Sequence, residues 1–114
     1  MVEEIIPDWA KEARCAITVA DADCRIIYMN DRARETYRSH GDLIGRNLLD
    51  CHSPRSRQII ADILASGGTN AYTIEKQGVH KMIFQSAWSV GGRISGILEI
   101  SMVIPAPLPH YVRS

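Results

Sequence analysis

The sequence predicts an α+β domain, and three features of its pattern carry that prediction. Runs rich in β-branched residues stand towards both ends, over 15–29 and 70–104. The pairs Gln77-Gly78 and Gly91-Gly92 divide the second of these into strands that turn back on one another. Between the two β stretches lies a helix with clear limits, opened by Ser53-Pro54 and closed by Ser66-Gly67-Gly68.

Taken in order, Ile5, Ile6, Trp9 and Ala13 recur at helical spacing, and Pro7 is tolerated in a first turn. A short helix over 5–13 is expected, its apolar face covering the domain or meeting a second copy through Ile5, Ile6 and Trp9. Residues 15–20 and 25–29 read as strands, and Asp21-Ala22-Asp23 as the turn of their hairpin. Asn30 suits an N-cap, with Asp31 at the favourable end of the dipole of a helix over 31–37. Residues 39–50, which include Gly41 and Gly45, are irregular, with a short helical turn expected among them. After Ser53, the residues Ile59, Ile60, Ile63 and Leu64 form one apolar stripe. Strands follow at 70–75, 80–90 and 93–104, and Pro105, Pro107 and Pro109 prevent the last from continuing. One domain is expected: an N-terminal helix in 1–14, a core over 15–104 and a proline-rich tail over 105–114.

Composition narrows the function classes. The 114 residues are 46% hydrophobic and 23% charged, enough apolar matter for a packed core. Thirteen basic residues balance thirteen acidic ones, so neither nucleic acid nor an anionic membrane is expected as partner. No apolar run reaches the roughly 18–20 residues that cross a bilayer. The acidic start Met1-Val2-Glu3-Glu4 lacks the basic-then-apolar layout of a signal peptide, and a cytoplasmic location is expected. Cys15, Cys24 and Cys51 are odd in number and form no CxxC pair, so neither a disulfide framework nor a zinc site is indicated.

Three segments resemble the PAS family in order and spacing. Residues 17–30, from Ile17 through the acidic turn to Asn30, resemble its opening hairpin. Asp42-Leu43-Ile44-Gly45-Arg46-Asn47 is similar to an acidic-apolar-apolar-Gly-basic element in the middle of many members. Ser95-Gly96-Ile97-Leu98-Glu99-Ile100 is similar to the start of their last strand. A narrower likeness joins Asn47-Leu48-Leu49-Asp50-Cys51-His52-Ser53-Pro54-Arg55-Ser56 to PAS segments that follow hemerythrin-like domains in some prokaryotic proteins. The resemblance implies five antiparallel strands with a helical wall around an internal pocket. It also implies sensing and signalling rather than catalysis. Met102-Val103-Ile104-Pro105 stands where many members carry an Asp-Ile-Thr-like triad leading into an output helix, which argues against direct helical transmission.

Candidate pocket residues are Val19, Tyr28, Leu48, Ile60, Leu64, Phe84, Ser86, Trp88 and Glu99. Either parity of each strand satisfies the alternation, so ordinary core packing competes with the pocket reading for each. Cys51-His52 is the one adjacent pair able to hold haem, a metal ion or a redox-active thiol, and a capping role before the helix is the competing reading. Haem and flavin are cofactors that the resemblance allows and that no residue pattern specifies. Asp21, Asp23 and Asp50 form no acid/base pair, and the glycine pairs are turns rather than phosphate loops. The expected function is a non-enzymatic sensor that binds a small molecule in its core and signals to a protein partner through homodimerisation. The alternative is a ligand-free interaction or dimerisation module. A thiol redox sensor or small enzyme using Cys51 comes third.

Overall fold

The structure, a computed structural model, describes residues 7–114; the expected contacts of Ile5 and Ile6 lie outside the described residues. The first helix, α1 (Asp8–Lys11), is a single turn. It is shorter than the expected 5–13: it ends at Glu12, whose N–H closes on Asp8, and the carbonyl of Ala10 is taken by a side chain from elsewhere.

That side chain belongs to Asn30, which is fully buried and organises the first third of the fold. Its Oδ1 accepts from the N–H of Ala33 at 3.0 Å and of Ile17 at 2.9 Å. Its Nδ2 donates to the carbonyls of Ala10 at 3.0 Å and Cys15 at 2.9 Å. One amide thus caps helix α2 (Asp31–Thr36) and ties it to α1 and to strand β1 (Ala16–Asp21). Strand β2 (Ile26–Met29) pairs antiparallel with β1 through the expected hairpin. The carboxylate of Asp21 holds that turn, accepting from the N–H of Asp23 and of Arg25 at 2.9 Å each.

Residues 38–51 hold two 3-10 turns, Arg38–His40 and Leu48–Cys51, where one helical turn was expected. The intervening chain lies along the free edge of β2: Ile26 N–H donates to Arg46, Gly45 N–H to Ile26, and Leu48 N–H to Cys24. The backbone hydrogen bonds of an edge strand are satisfied in this way, and the following residues are carried over one face of the sheet. Helix α3 (Pro54–Ser66) begins as expected, with Ser53 Oγ accepting from Ser56 N–H and proline at the first position. It ends at Gly67, whose φ of 74° is the left-handed conformation that favours glycine.

Strands β3 (Thr69–Lys76), β4 (Val79–Val90) and β5 (Arg93–Val103) complete a five-stranded sheet of order β2-β1-β5-β4-β3. The pairings are antiparallel throughout. Cross-strand partners share a face, so the register separates two faces. The inner face carries Ala16, Thr18 and Ala20 of β1, Ile97, Glu99 and Ser101 of β5, Lys81, Ile83 and Gln85 of β4, and Asn70, Tyr72 and Ile74 of β3. The core forms where α3 and Leu43, Leu48 and Ala33 cover Ala16, Ala20, Ile26 and Ile97, with Ile60 fully buried at its centre. The cover stops short of β3, whose residues from Ala71 to Lys76 are exposed. Among the described residues no helix is long and apolar enough to cross a membrane.

Candidate functional site

Where the helical cover ends, a cleft of about 250 Å³ opens over the inner face. Its floor is Thr18, Ile83, Glu99 and Ser101, its far wall is Ile74 on β3, and its near wall is Tyr37 and His40 beyond α2. The deep end, bounded by Ile26, Met29, Leu43, Leu48 and His52, leaves only about 10 Å³ beside Glu99.

Across this floor runs a chain of polar side chains. Asn70 Nδ2 donates to Gln85 Oε1 at 3.0 Å, and Gln85 Nε2 donates to Glu99 Oε2 at 2.9 Å. A carboxylate only accepts, so Glu99 dictates which way the amide of Gln85 faces, and Gln85 in turn dictates Asn70. On the other side of the carboxylate, His52 Nε2 stands 3.7 Å from Glu99 Oε2. His52 Nδ1 lies 2.8 Å from the carbonyl of Leu48, and since a carbonyl cannot donate, that nitrogen carries a proton. The neutral ring would then turn a lone pair towards a carboxylate, whereas the imidazolium turns an N–H.

Both groups respond to this arrangement. Glu99 holds the His52 ring above its ordinary 6.5, against burial, with the Leu48 carbonyl adding to the effect and the Arg57 charge opposing it. Burial is the largest influence on Glu99 and pushes it up. The His52 ring 3.7 Å away and the hydrogen bond from Gln85 outweigh it and carry the carboxyl below its ordinary 4.5. Both shifts favour the ionised forms of the pair, which is bordered on one side by the cleft.

The candidate residues divide by face. Leu48 and Glu99 border the cleft or its deep end. Ile60 of α3 lies in the core and Leu64 of the same helix packs against it, and neither borders the open space. Val19, Tyr28, Phe84, Ser86 and Trp88 stand on the outer face, so a pocket role does not fit their position; Val19 pairs with Tyr28 and Leu98, Phe84 with Ile100, and Trp88 with Gly96. Trp88 lies across Gly96 and donates its indole N–H to the Ala20 carbonyl at 3.0 Å. Trp9 is 76% exposed on α1. Asn70, Thr18 and Tyr37 belong to the site and were not anticipated. Thr18 and Asn70 sit on β1 and β3 at positions whose parity no local pattern fixed, and Tyr37 follows α2, where nothing in the sequence marked it.

Cys51 lies in the second 3-10 turn, and His52 follows it. Both ring nitrogens of His52 are engaged, so ligating haem iron would cost the bond to Leu48 or the ion pair to Glu99. The deep end beside it, with only about 10 Å³ unfilled, does not fit a flavin ring system either. Among the described residues no group of three or more His, Cys, Asp or Glu is placed to hold a metal ion. Cys24 is buried in the β1–β2 turn, and burial, with Asp21 and Asp23, pushes its thiol up and away from reactivity.

The family model described as the PAS domain matches residues 14–85. No curated protein matches the chain. Among solved structures it is similar to the PAS domain of BvgS from Bordetella pertussis, with a TM-score of 0.68 at 15% identity, over 91% of this chain and 87% of that one. It is similar to a C-terminal domain from Streptococcus mutans, TM-score 0.66 at 18% identity, covering 85% of this chain and 81% of that. It also resembles the PAS domain of the histidine kinase ThkA, TM-score 0.60 at 19% identity, over 76% of this chain and 96% of that. At these identities the structures speak for the fold.

Proposed function

The chain belongs to the PAS domain family, a family of sensory and signalling modules, and from that premise we propose that it is a non-enzymatic cytoplasmic sensor. It takes a small molecule into the cleft over β3 and β4 and passes the occupied state to a signalling partner through a homodimer. The observation that carries this reading is the side-chain chain Asn70–Gln85–Glu99–His52, laid across the inner face of three strands with open space beside it. A core built only for packing has no use for an ion pair there, because burying charge costs free energy that apolar side chains would not. A ligand acts on such a module through its differential affinity for two conformations, and a polar network that spans the sheet is suited to differ between them. The run Asn47–Ser56 supports a kinship with PAS segments that accompany hemerythrin-like domains.

A second reading, a ligand-free interaction module, is favoured by the deep end, where only about 10 Å³ is left unfilled. Native mass spectrometry of the purified protein, with an absorption spectrum of the same sample and melting curves against a small-molecule panel, separates the two. Retained mass, or a ligand that raises the melting point and fails to do so in Glu99→Gln, supports the sensor. Bare polypeptide mass, with no compound moving the melting point, leaves the interaction module.

A further inference from the structure

A second depression, about 290 Å³, lies between α2 and the near end of the sheet. Its walls carry Arg14 before β1, Arg32 on α2, Arg38 in the first 3-10 turn and Lys81 on β4, against the one carboxylate of Glu35. Four cations, from three elements and the segment before β1, converge there in a chain of zero formal charge. Ion pairing does not explain them. Among the described residues Lys11 pairs with Asp31 and Arg34 with Asp42, whereas none of these four stands within ion-pair distance of a carboxylate. Four like charges against a single carboxylate repel one another, and an anion bound among them would relieve that repulsion.

The groove is also not separate from the cleft. Ala16, Thr36, Lys81 and Ser101 line both, so the two open into one another past Lys81. A molecule entering this way meets cations first and then Tyr37, Ile74 and Ile83. We infer that the ligand of this module is a small amphiphilic acid, its carboxylate or phosphate held by Arg32, Arg38, Arg14 and Lys81 and its apolar part lying in the cleft. The inference rests on the sensor reading and specifies the chemistry of its site.

The test compares octanoate with 1-octanol by isothermal titration calorimetry, on the wild-type chain, on Arg32→Gln/Arg38→Gln, and on Arg55→Gln/Arg93→Gln. The last variant removes the same charge from exposed positions outside the groove. Octanoate is expected to bind at least about tenfold more tightly than octanol, and the groove variant to lose about tenfold for octanoate while leaving octanol unchanged. The control variant keeps wild-type affinity. Octanol binding as tightly as octanoate would overturn the assignment of the groove while leaving the sensor reading in place. Equal losses in both variants would also overturn it, by showing that bulk charge rather than this groove attracts the acid. Binding of neither compound, with a chain that no member of the small-molecule panel stabilises, would remove both readings together.

Discussion

Asn30 shows how much one residue type can decide. Its amide offers two acceptor positions and two donors, and the structure uses both kinds at once. The substitution Asn30→Asp would keep the acceptors and the cap but turn a buried carboxylate towards the carbonyls of Ala10 and Cys15. It is therefore expected to destabilise the fold by about 3 kcal/mol in urea denaturation, and Asn30→Ser by less. Equal stability of Asn30→Asp and wild type would mean that α1 is not anchored there. The His52–Glu99 pair makes a prediction in pH. His52 is raised in the folded state, so its contribution is complete below 6.5 and is lost as pH rises through the higher folded value. Glu99 is lowered, so its contribution is complete above 4.5 and is lost as pH falls through the lower folded value. The pair stabilises most between 4.5 and 6.5. Urea midpoints of the wild type should decline from pH 5.5 towards about 8.5 more steeply than those of Glu99→Gln. The exposed Glu75–His80 pair is common to both proteins and cancels in the comparison. Parallel profiles would show that the two groups are uncoupled.

At the scale of elements, the sequence was most legible where a local chemical reason sufficed. Asn30, Ser53-Pro54 and Gly67 mark helix limits through backbone hydrogen bonding and conformational freedom, and each stands where those reasons place it. Strand parity was not legible, because both faces of this sheet carry apolar residues. The inner face mixes Ala20, Ile83 and Ile97 with Thr18, Gln85 and Glu99, whereas the outer face holds Ile17, Val19, Phe84, Leu98 and Ile100. Alternation usually marks the polar face as the solvated one, and here the polar positions face the helical cover and the cleft. Only the long-range pairing of β1 with β5 and of β5 with β4 resolves this, and no local pattern contains it. That pairing has its own test at Gly96. A Cβ there would run into the Ala20 carbonyl and lie 2.6 Å from the Trp88 indole nitrogen. Gly96→Ala should therefore cost about 2 kcal/mol or more and shift Trp88 fluorescence, as the indole gives up its bond to Ala20. Unchanged emission with wild-type stability would contradict the close packing of β4, β5 and β1 at this point.

For the whole molecule, the outer face poses the question of what covers it. Ile17, Val19, Phe84, Trp88, Leu98 and Ile100 are contiguous across β1, β5 and β4 and only half-buried, and Trp9 stands exposed on α1. Contiguous apolar surface of this kind commonly marks an interaction site, and the dimer reading assigns it to a second copy of the chain. Sedimentation velocity should then show a concentration-dependent dimer, and Leu98→Lys should weaken it about tenfold or more without unfolding the domain. Trp9→Ala should weaken it less. A wild-type chain that remains monomeric at millimolar concentration would refute the dimer. The two faces of one sheet also make the sensor reading quantitative. If the cleft ligand changes the dimerisation constant by some factor, dimerisation must change ligand affinity by the same factor. Octanoate titrations below and above the dimerisation constant should then give different affinities in the wild type and equal ones in Leu98→Lys. Equal affinities in both proteins, with a dimer present in the wild type, would mean that the inner face does not speak to the outer, and signalling through dimerisation would have to be given up.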